Sequence, residues 1–204
     1  ALLSGAAWGD YTAGTPAGKN RGWPSKGAFF QNRLIFANSS SLPNLLWASN
    51  AGDFYNFDDS GTTALDGFSL GLGSDGNEEI QDVVGTKGLV ALGLNGLYST
   101  SLFIDQPITP GNAFLNEQAK DGAANRRAQV IDNQIFFVDE NLQQIKAAQY
   151  DIATSSFTLL DATLLSPHLI DNPVSTAAYR PTSNDGTFYL VTNEDGSMGS
   201  FQSL

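Results

Sequence analysis

The stretch Gly88-Leu89-Val90-Ala91-Leu92, then Leu94-Asn95-Gly96, then Leu97-Tyr98-Ser99-Thr100 decides the fold. A short apolar run stops at an Asn-Gly turn signal, and a second short run leaves it, which reads as a strand, a turn and a strand. The same pattern occurs three more times. Arg33-Leu34-Ile35-Phe36-Ala37 is followed by a turn and Leu45-Leu46-Trp47-Ala48-Ser49. Gln134-Ile135-Phe136-Phe137-Val138 is followed by the turn Asp139-Glu140-Asn141 and Gln144-Ile145-Lys146-Ala147-Ala148. Thr187-Phe188-Tyr189-Leu190-Val191 is followed by Asn193-Glu194-Asp195-Gly196 and Met198-Gly199-Ser200-Phe201.

Measured between Leu34, Leu89, Ile135 and Phe188, the repeat is 55, 46 and 53 residues. A hairpin at that period is the spacing of β-propeller blades, whereas a sandwich spaces its strands roughly 8–12 residues apart. The expected fold is therefore all-β, a β-propeller-like array of short antiparallel blades, with the ring expected to be incomplete in this chain. In each hairpin the first strand is expected to lie inside and the more polar second strand outside. Residues 1–22 are expected to be an N-terminal connecting segment. Residues 23–204 are expected to form the propeller-like domain, with about four blades or partial blades. Only Ala113–Lys120 and the stretch from Asp161 to Leu165 suggest helix, and both are short.

Composition agrees with this reading. Of 204 residues, 41% are hydrophobic and 15% charged, with 21 Gly and 13 Phe, which suits a packed β core with glycine-rich turns and excludes a disordered tail. There is no Cys, hence no disulfide framework or thiolate metal site, and folding in a reducing cytoplasm is expected. No apolar run is long enough to span a bilayer, and the segment from Ala1 to Trp8 lacks the basic start of a signal peptide. Both ends read as cut from a longer polypeptide. The net charge of −11 opposes binding of nucleic acid over most of the surface.

The most specific stretch lies between residues 23 and 57. It contains Trp23-Pro24, the aromatic strand that runs into Gln31-Asn32-Arg33-Leu34, the second strand ending Trp47-Ala48-Ser49, and Gly52-Asp53-Phe54-Tyr55-Asn56-Phe57. Further on come Asn77-Glu78-Glu79-Ile80, the segment Leu159–Ile170 with Ser166-Pro167-His168 at its centre, and Ala177-Ala178-Tyr179-Arg180-Pro181. From Trp23 onward the chain resembles the tail nozzle (tail tubular protein B) family of short-tailed bacteriophages. Two points depart from the family pattern: Ser25 stands where a basic or bulky residue often follows Trp-Pro, and Asn50-Ala51 precedes the Gly-Asp segment.

The resemblance implies a structural virion protein of the tail, assembled in the host cytoplasm, and not an enzyme. It implies a homo-oligomeric ring, typically a hexamer, lying below the portal and its adaptor and touching other tail proteins. Genomic DNA would pass through the ring without specific binding, no part of the chain would insert in a membrane, and no cofactor is expected. The motif also has a physical reading. Trp23, Phe29, Phe36, Trp47, Phe54 and Phe57 would fill space between blades, Arg33 among apolar residues needs a partner for which Asp53 is a candidate, and Gly52 marks a turn.

Sites of reaction chemistry are scarce. The sole histidine, His168, has Ser166 too close in sequence to supply a triad from separate elements. Gly14–Asn20 is one residue short of a phosphate-binding loop and lacks its Ser or Thr. The acidic loops Asp75–Glu79 and Asn193–Gly196 carry oxygen ligands but match no calcium motif, and turn chemistry explains both. Asp58-Asp59 and Glu78-Glu79 are adjacent pairs whose members point to opposite faces of a strand. Asn38-Ser39-Ser40 is a glycosylation sequon without secretory context. Arg126-Arg127 is the only basic doublet, either solvated or in contact with a neighbouring subunit. A competing expectation is a receptor- or glycan-binding propeller at the tail tip, with Tyr55, Tyr98 and Tyr179 as stacking platforms. A third, an envelope hydrolase, would need a cleft with two carboxylates about 5–10 Å apart.

Overall fold

The structure, a computed structural model, describes residues 22–73, 78–100, 106–151, 153–154, 156–182 and 186–203. The expected connecting segment (apart from Gly22), Gly14–Asn20 and residues 75–77 of the first acidic loop lie outside the described residues.

The described residues are all-β, an array of four small sheets. The first contains β1 (Lys26–Phe30), β2 (Arg33–Ser39), β3 (Leu42–Ala48) and β4 (Phe68–Gly71). The second contains β5 (Ile80–Gly85), β6 (Leu89–Gly93), β7 (Leu97–Thr100) and β8 (Leu115–Ala119). The third contains β9 (Gln129–Ile131), β10 (Gln134–Val138), β11 (Ile145–Asp151) and β12 (Ser156–Asp161). The fourth contains β13 (Pro173–Tyr179), β14 (Thr187–Asn193) and β15 (Met198–Ser203). In every sheet, strands adjacent in sequence are adjacent in space.

The four hairpins read from the sequence are β2–β3, β6–β7, β10–β11 and β14–β15. Their place differs from the inner-then-outer expectation. In the first three sheets the hairpin is the central pair, with one strand before it and one after. That position explains the apolar runs: every residue of β6 and β7 is buried, because both faces and both edges are covered. The outer strand β8 runs through Ala113–Lys120, where a helix was expected. Leu115 is buried in the core of its unit and the next two residues are exposed, so the stretch serves as a covering edge strand. The stretch from Asp161 is also not helical: the Asp161 carboxylate accepts from the Thr163 amide at 2.8 Å and closes a side-chain turn.

Contacts divide the chain into two compact units. The first comprises the described residues up to 93 together with 98–117, and its core is built on Ile35, Leu46, Ile80, Val83, Leu89 and Tyr98. The second comprises residues 94–97 and the described residues from 118 on, and its core is built on Ile131, Phe136, Val138, Ile145, Tyr189 and Val191. Burying side chains of this size contributes about 1.5–3 kcal/mol each.

Candidate functional site

The family-like stretch folds as one anchored element in the first unit. It begins at the turn between β1 and β2. Gln31 and Asn32 have φ of 45° and 59°, the positive pair that a two-residue hairpin turn demands. The Gln31 carboxamide accepts from the Ile108 amide at 2.7 Å, and the Asn32 carbonyl accepts from the Gly52 amide at 2.9 Å. Ser49, just past β3, continues the pairing with Leu34: the Ser49 amide donates to the Leu34 carbonyl, and the Leu34 amide donates to the Ser49 hydroxyl.

Arg33 is the centre of this element. Its side chain is buried, at 3% exposure for the residue, and among the described residues its guanidinium donates only to main-chain carbonyls. Nη1 reaches Ser49 at 2.6 Å, Asp66 at 2.8 Å and, more weakly, Leu65 at 3.4 Å. Nη2 reaches Ala64 at 2.7 Å. The guanidinium also lies over the Phe68 ring, 5.2 Å from its centroid. Burial draws the Arg33 pKa down, and the negative charge of Asp66 opposes that shift. The expected partner was Asp53. Asp53 instead stays exposed, and its carboxylate accepts from the Tyr55 amide. A planar fork can serve several carbonyls of one loop, which a single carboxylate at Asp53 does not require.

The clamp holds residues 49–67 as a closed loop. Asn50 binds it from within: its amide donates to the Asn56 carbonyl, and its side-chain oxygen accepts from the Gly67 amide at 2.7 Å. The Asn56 side-chain oxygen accepts from the Asp58 amide. A Cβ on Gly67 would sit 2.9 Å from the carbonyl oxygens of both Ala48 and Asp58, so only glycine fits there.

The motif aromatics divide into two groups. Trp47 and Phe57 are buried, and Phe57 stacks on Phe36 with centroids 5.3 Å apart. Trp23 and Phe29 face solvent at 58% and 68% exposure, so they do not fill the core, and Pro24 beside Trp23 is half-buried. Phe54 meets Phe29 edge to face, and the exposed Tyr55 and Leu65 belong to the same clamped loop. The motif thus builds a rigid loop carrying an apolar surface. The sequence marked Asn50 only as a departure from the family pattern and did not point to the 64–66 carbonyls, since every residue type offers a carbonyl.

The later motif residues lie in the second unit. Pro167 and His168 are exposed in a single 3₁₀ turn, Pro167–Leu169, with Ser166 half-buried before it. Asn193 ties this turn down through its side-chain donation to the Leu169 carbonyl at 3.0 Å. Of the proposed stacking tyrosines, Tyr55 and Tyr179 are exposed, but Tyr98 is a core residue at 2% exposure, so the three do not act as one platform. The sequon residue Asn38 is buried, and its amide donates to Glu79 and to the Ile80 carbonyl. In the second acidic loop the Asp195 carboxylate accepts from the Ser197 amide, as a turn requires. Among the described residues no group of three or more His, Asp or Glu side chains could hold a metal ion, and no helix is long and apolar enough to cross a membrane.

The second unit has its own charged anchor. Lys146 on β11 pairs with Asp121 and, at 2.9 Å, with Asp139. Asp139 is 7% exposed and also accepts from the Asn141 amide and side chain. Burial pushes the Asp139 carboxyl upward, but hydrogen bonds from Lys146 and Asn141 and the Lys146 charge outweigh it and hold the pKa below the ordinary value. The stability that Asp139 contributes is therefore present above its unfolded pKa, near about 3.9, and is lost as pH falls through the folded value. Asp139→Asn is expected to lower unfolding free energy by about 2 kcal/mol at pH 7. In urea titrations the gap from wild type should shrink as pH falls below the ordinary carboxylate range, about 3.9, and through the lowered folded value. A gap independent of pH would show that the carboxylate charge is not what holds the turn.

Comparison with protein-family models and with curated proteins finds no match to this chain.

Proposed function

We propose that the chain is a structural subunit of a bacteriophage tail nozzle, one member of a closed homo-oligomeric ring through which the genome leaves. The observation that carries this reading is the Arg33 clamp. The stretch that resembles nozzle proteins uses its buried cation entirely on carbonyls of its own loop, which is the work of an architectural motif and not of a reaction centre. That loop, with β1 before it, presents Phe29, Tyr55 and Leu65 to solvent, an apolar surface suited to a neighbouring subunit or to the adaptor. A ring needs such a patch to meet a different surface on the next copy, so that the contact closes on itself. The net charge of −11 suits a channel that DNA must slide through, since acidic walls repel phosphate.

The expected place of action is the tail of the virion, reached after assembly in the host cytoplasm. Cryo-electron microscopy of the particle containing this chain tests the proposal. Density in a symmetric ring on the tail axis, with an acidic inner wall, is the expected result. Density on a peripheral fibre, or a ring with a basic lumen, would overturn it.

A further inference from the structure

The fourth sheet, β13–β15, has two unlike faces. Tyr189 and Val191 on β14 turn one face into the core of the second unit. Strand alternation puts Phe188, Leu190 and Thr192 on the other face, and all three are half-buried. On one side the register sets Tyr179 beside Phe188 and Ala177 beside Leu190. On the other side it sets Ser200 beside Leu190 and Met198 beside Thr192. Those four flanking residues are exposed, Tyr179 at 56% and Met198 at 69%. The Tyr179 and Phe188 rings lie 6.4 Å apart, centroid to centroid.

An antiparallel sheet with one face in water ordinarily carries polar and charged side chains there. This face has no charged residue, although the chain has 21 Asp and Glu and 10 Lys and Arg. The charges sit at its two ends. Arg180 follows β13 at one end, and Glu194 and Asp195 form the turn between β14 and β15 at the other.

We infer that this face packs against the same face of a second copy of the chain. An uncharged surface is where two chains of net charge −11 meet with least repulsion. Sheets pack face to face about 10 Å apart, with apolar side chains between them. The charged ends choose the arrangement. A twofold axis across the strands lays the Arg180 end of each copy over the Glu194–Asp195 end of the other, whereas an axis along the strands would set like charges together. Three strands of six or seven residues cover an area of roughly 20 Å by 15 Å. That is small for a specific interface, so the pair is weak, dissociating in the high micromolar range. This contact is isologous and lies in the second unit. The contact that closes a ring is heterologous and uses the loop of the first unit, so each can fail without the other.

Sedimentation velocity on the full chain, over a micromolar-to-millimolar concentration series, tests the pairing. Expected is a shift from monomer toward dimer as concentration rises. Ala177→Glu and Ser200→Lys, each at an exposed strand position, should each weaken the pair about tenfold or more, since each copy would bury an unpaired charge. The circular dichroism spectrum should be unchanged in both. Arg180→Glu should weaken the pair as well, and adding Glu194→Arg should restore it, because reversing both ends recreates the match across the twofold axis. Tyr55→Glu, in the first unit, should leave it unchanged. A monomer at every concentration, a pair indifferent to Ala177→Glu and Ser200→Lys, a double reversal weaker than Arg180→Glu alone, or a pair lost with Tyr55→Glu would each overturn the inference.

Discussion

Arg33→Met should lower the unfolding free energy of the chain by about 3–5 kcal/mol, since three main-chain carbonyls lose charge-assisted hydrogen bonds at once. Methionine keeps roughly the length and the apolar stem, so the loss isolates the guanidinium. What it leaves behind decides the size of the effect. The carbonyls of Ser49, Ala64 and Asp66, bonded at 2.6–2.8 Å in the native state, would have to find water or stay unpaired. Arg33→Lys should recover only part of the loss, since one ammonium on a flexible stem does not reproduce a fork that spans three residues of the loop. Urea unfolding monitored by tryptophan fluorescence measures this directly, because Trp47 lies on β3 beside the clamp and is buried. A loss below about 1 kcal/mol for Met would mean that the loop relaxes freely and that the clamp is not what holds it.

Gly122→Ala should cost about 3 kcal/mol, at the upper end of overpacking effects. The reason is a close backbone approach: a Cβ on Gly122 would stand 1.8 Å from the Leu94 carbonyl oxygen and 2.2 Å from the Glu140 carboxylate. The Glu140 side chain can swing away, but the Leu94 carbonyl cannot move without shifting the turn that joins β6 to β7. The neighbouring Asp121 is one of the partners of Lys146, so displacing residue 122 also strains that ion pair. Thermal melting should fall by several degrees, roughly 2–4 °C per kcal/mol for a chain of this size. The double variant Gly122→Ala with Glu140→Ala discriminates the causes. If the carbonyl is the obstacle, removing the Glu140 side chain restores little. Full recovery would place the clash on the carboxylate alone.

The parts of the fold legible in the sequence are those where burial is complete. The hairpins containing Leu89–Gly93 and Gln134–Val138 announce themselves because a strand covered on both faces has no reason to alternate. The flanking strands were not legible. Gln129–Ile131 is three residues long, and Pro173–Tyr179 has only two buried positions, so neither carries a periodic signal. The same limit applies to the sites. That Arg33 needed a partner was readable from its apolar neighbours, but the partner was a set of carbonyls brought up by the chain 31–33 residues later, and carbonyls have no sequence signature.

The strict adjacency of strands has a kinetic consequence. Each new strand pairs with the one made just before it, so the longest gap that pairing closes within a sheet is residues 49–67, between β3 and β4. The usual slow step of all-β proteins, pairing strands that are not neighbours in sequence, is absent within each sheet. During synthesis the first sheet and its guanidinium clamp can close once Gly71 has cleared the ribosome, before the residues of the third sheet exist. Strands left unpaired in a growing chain are the ones that aggregate. A sequence that completes its sheets in the order it is made keeps few of them waiting.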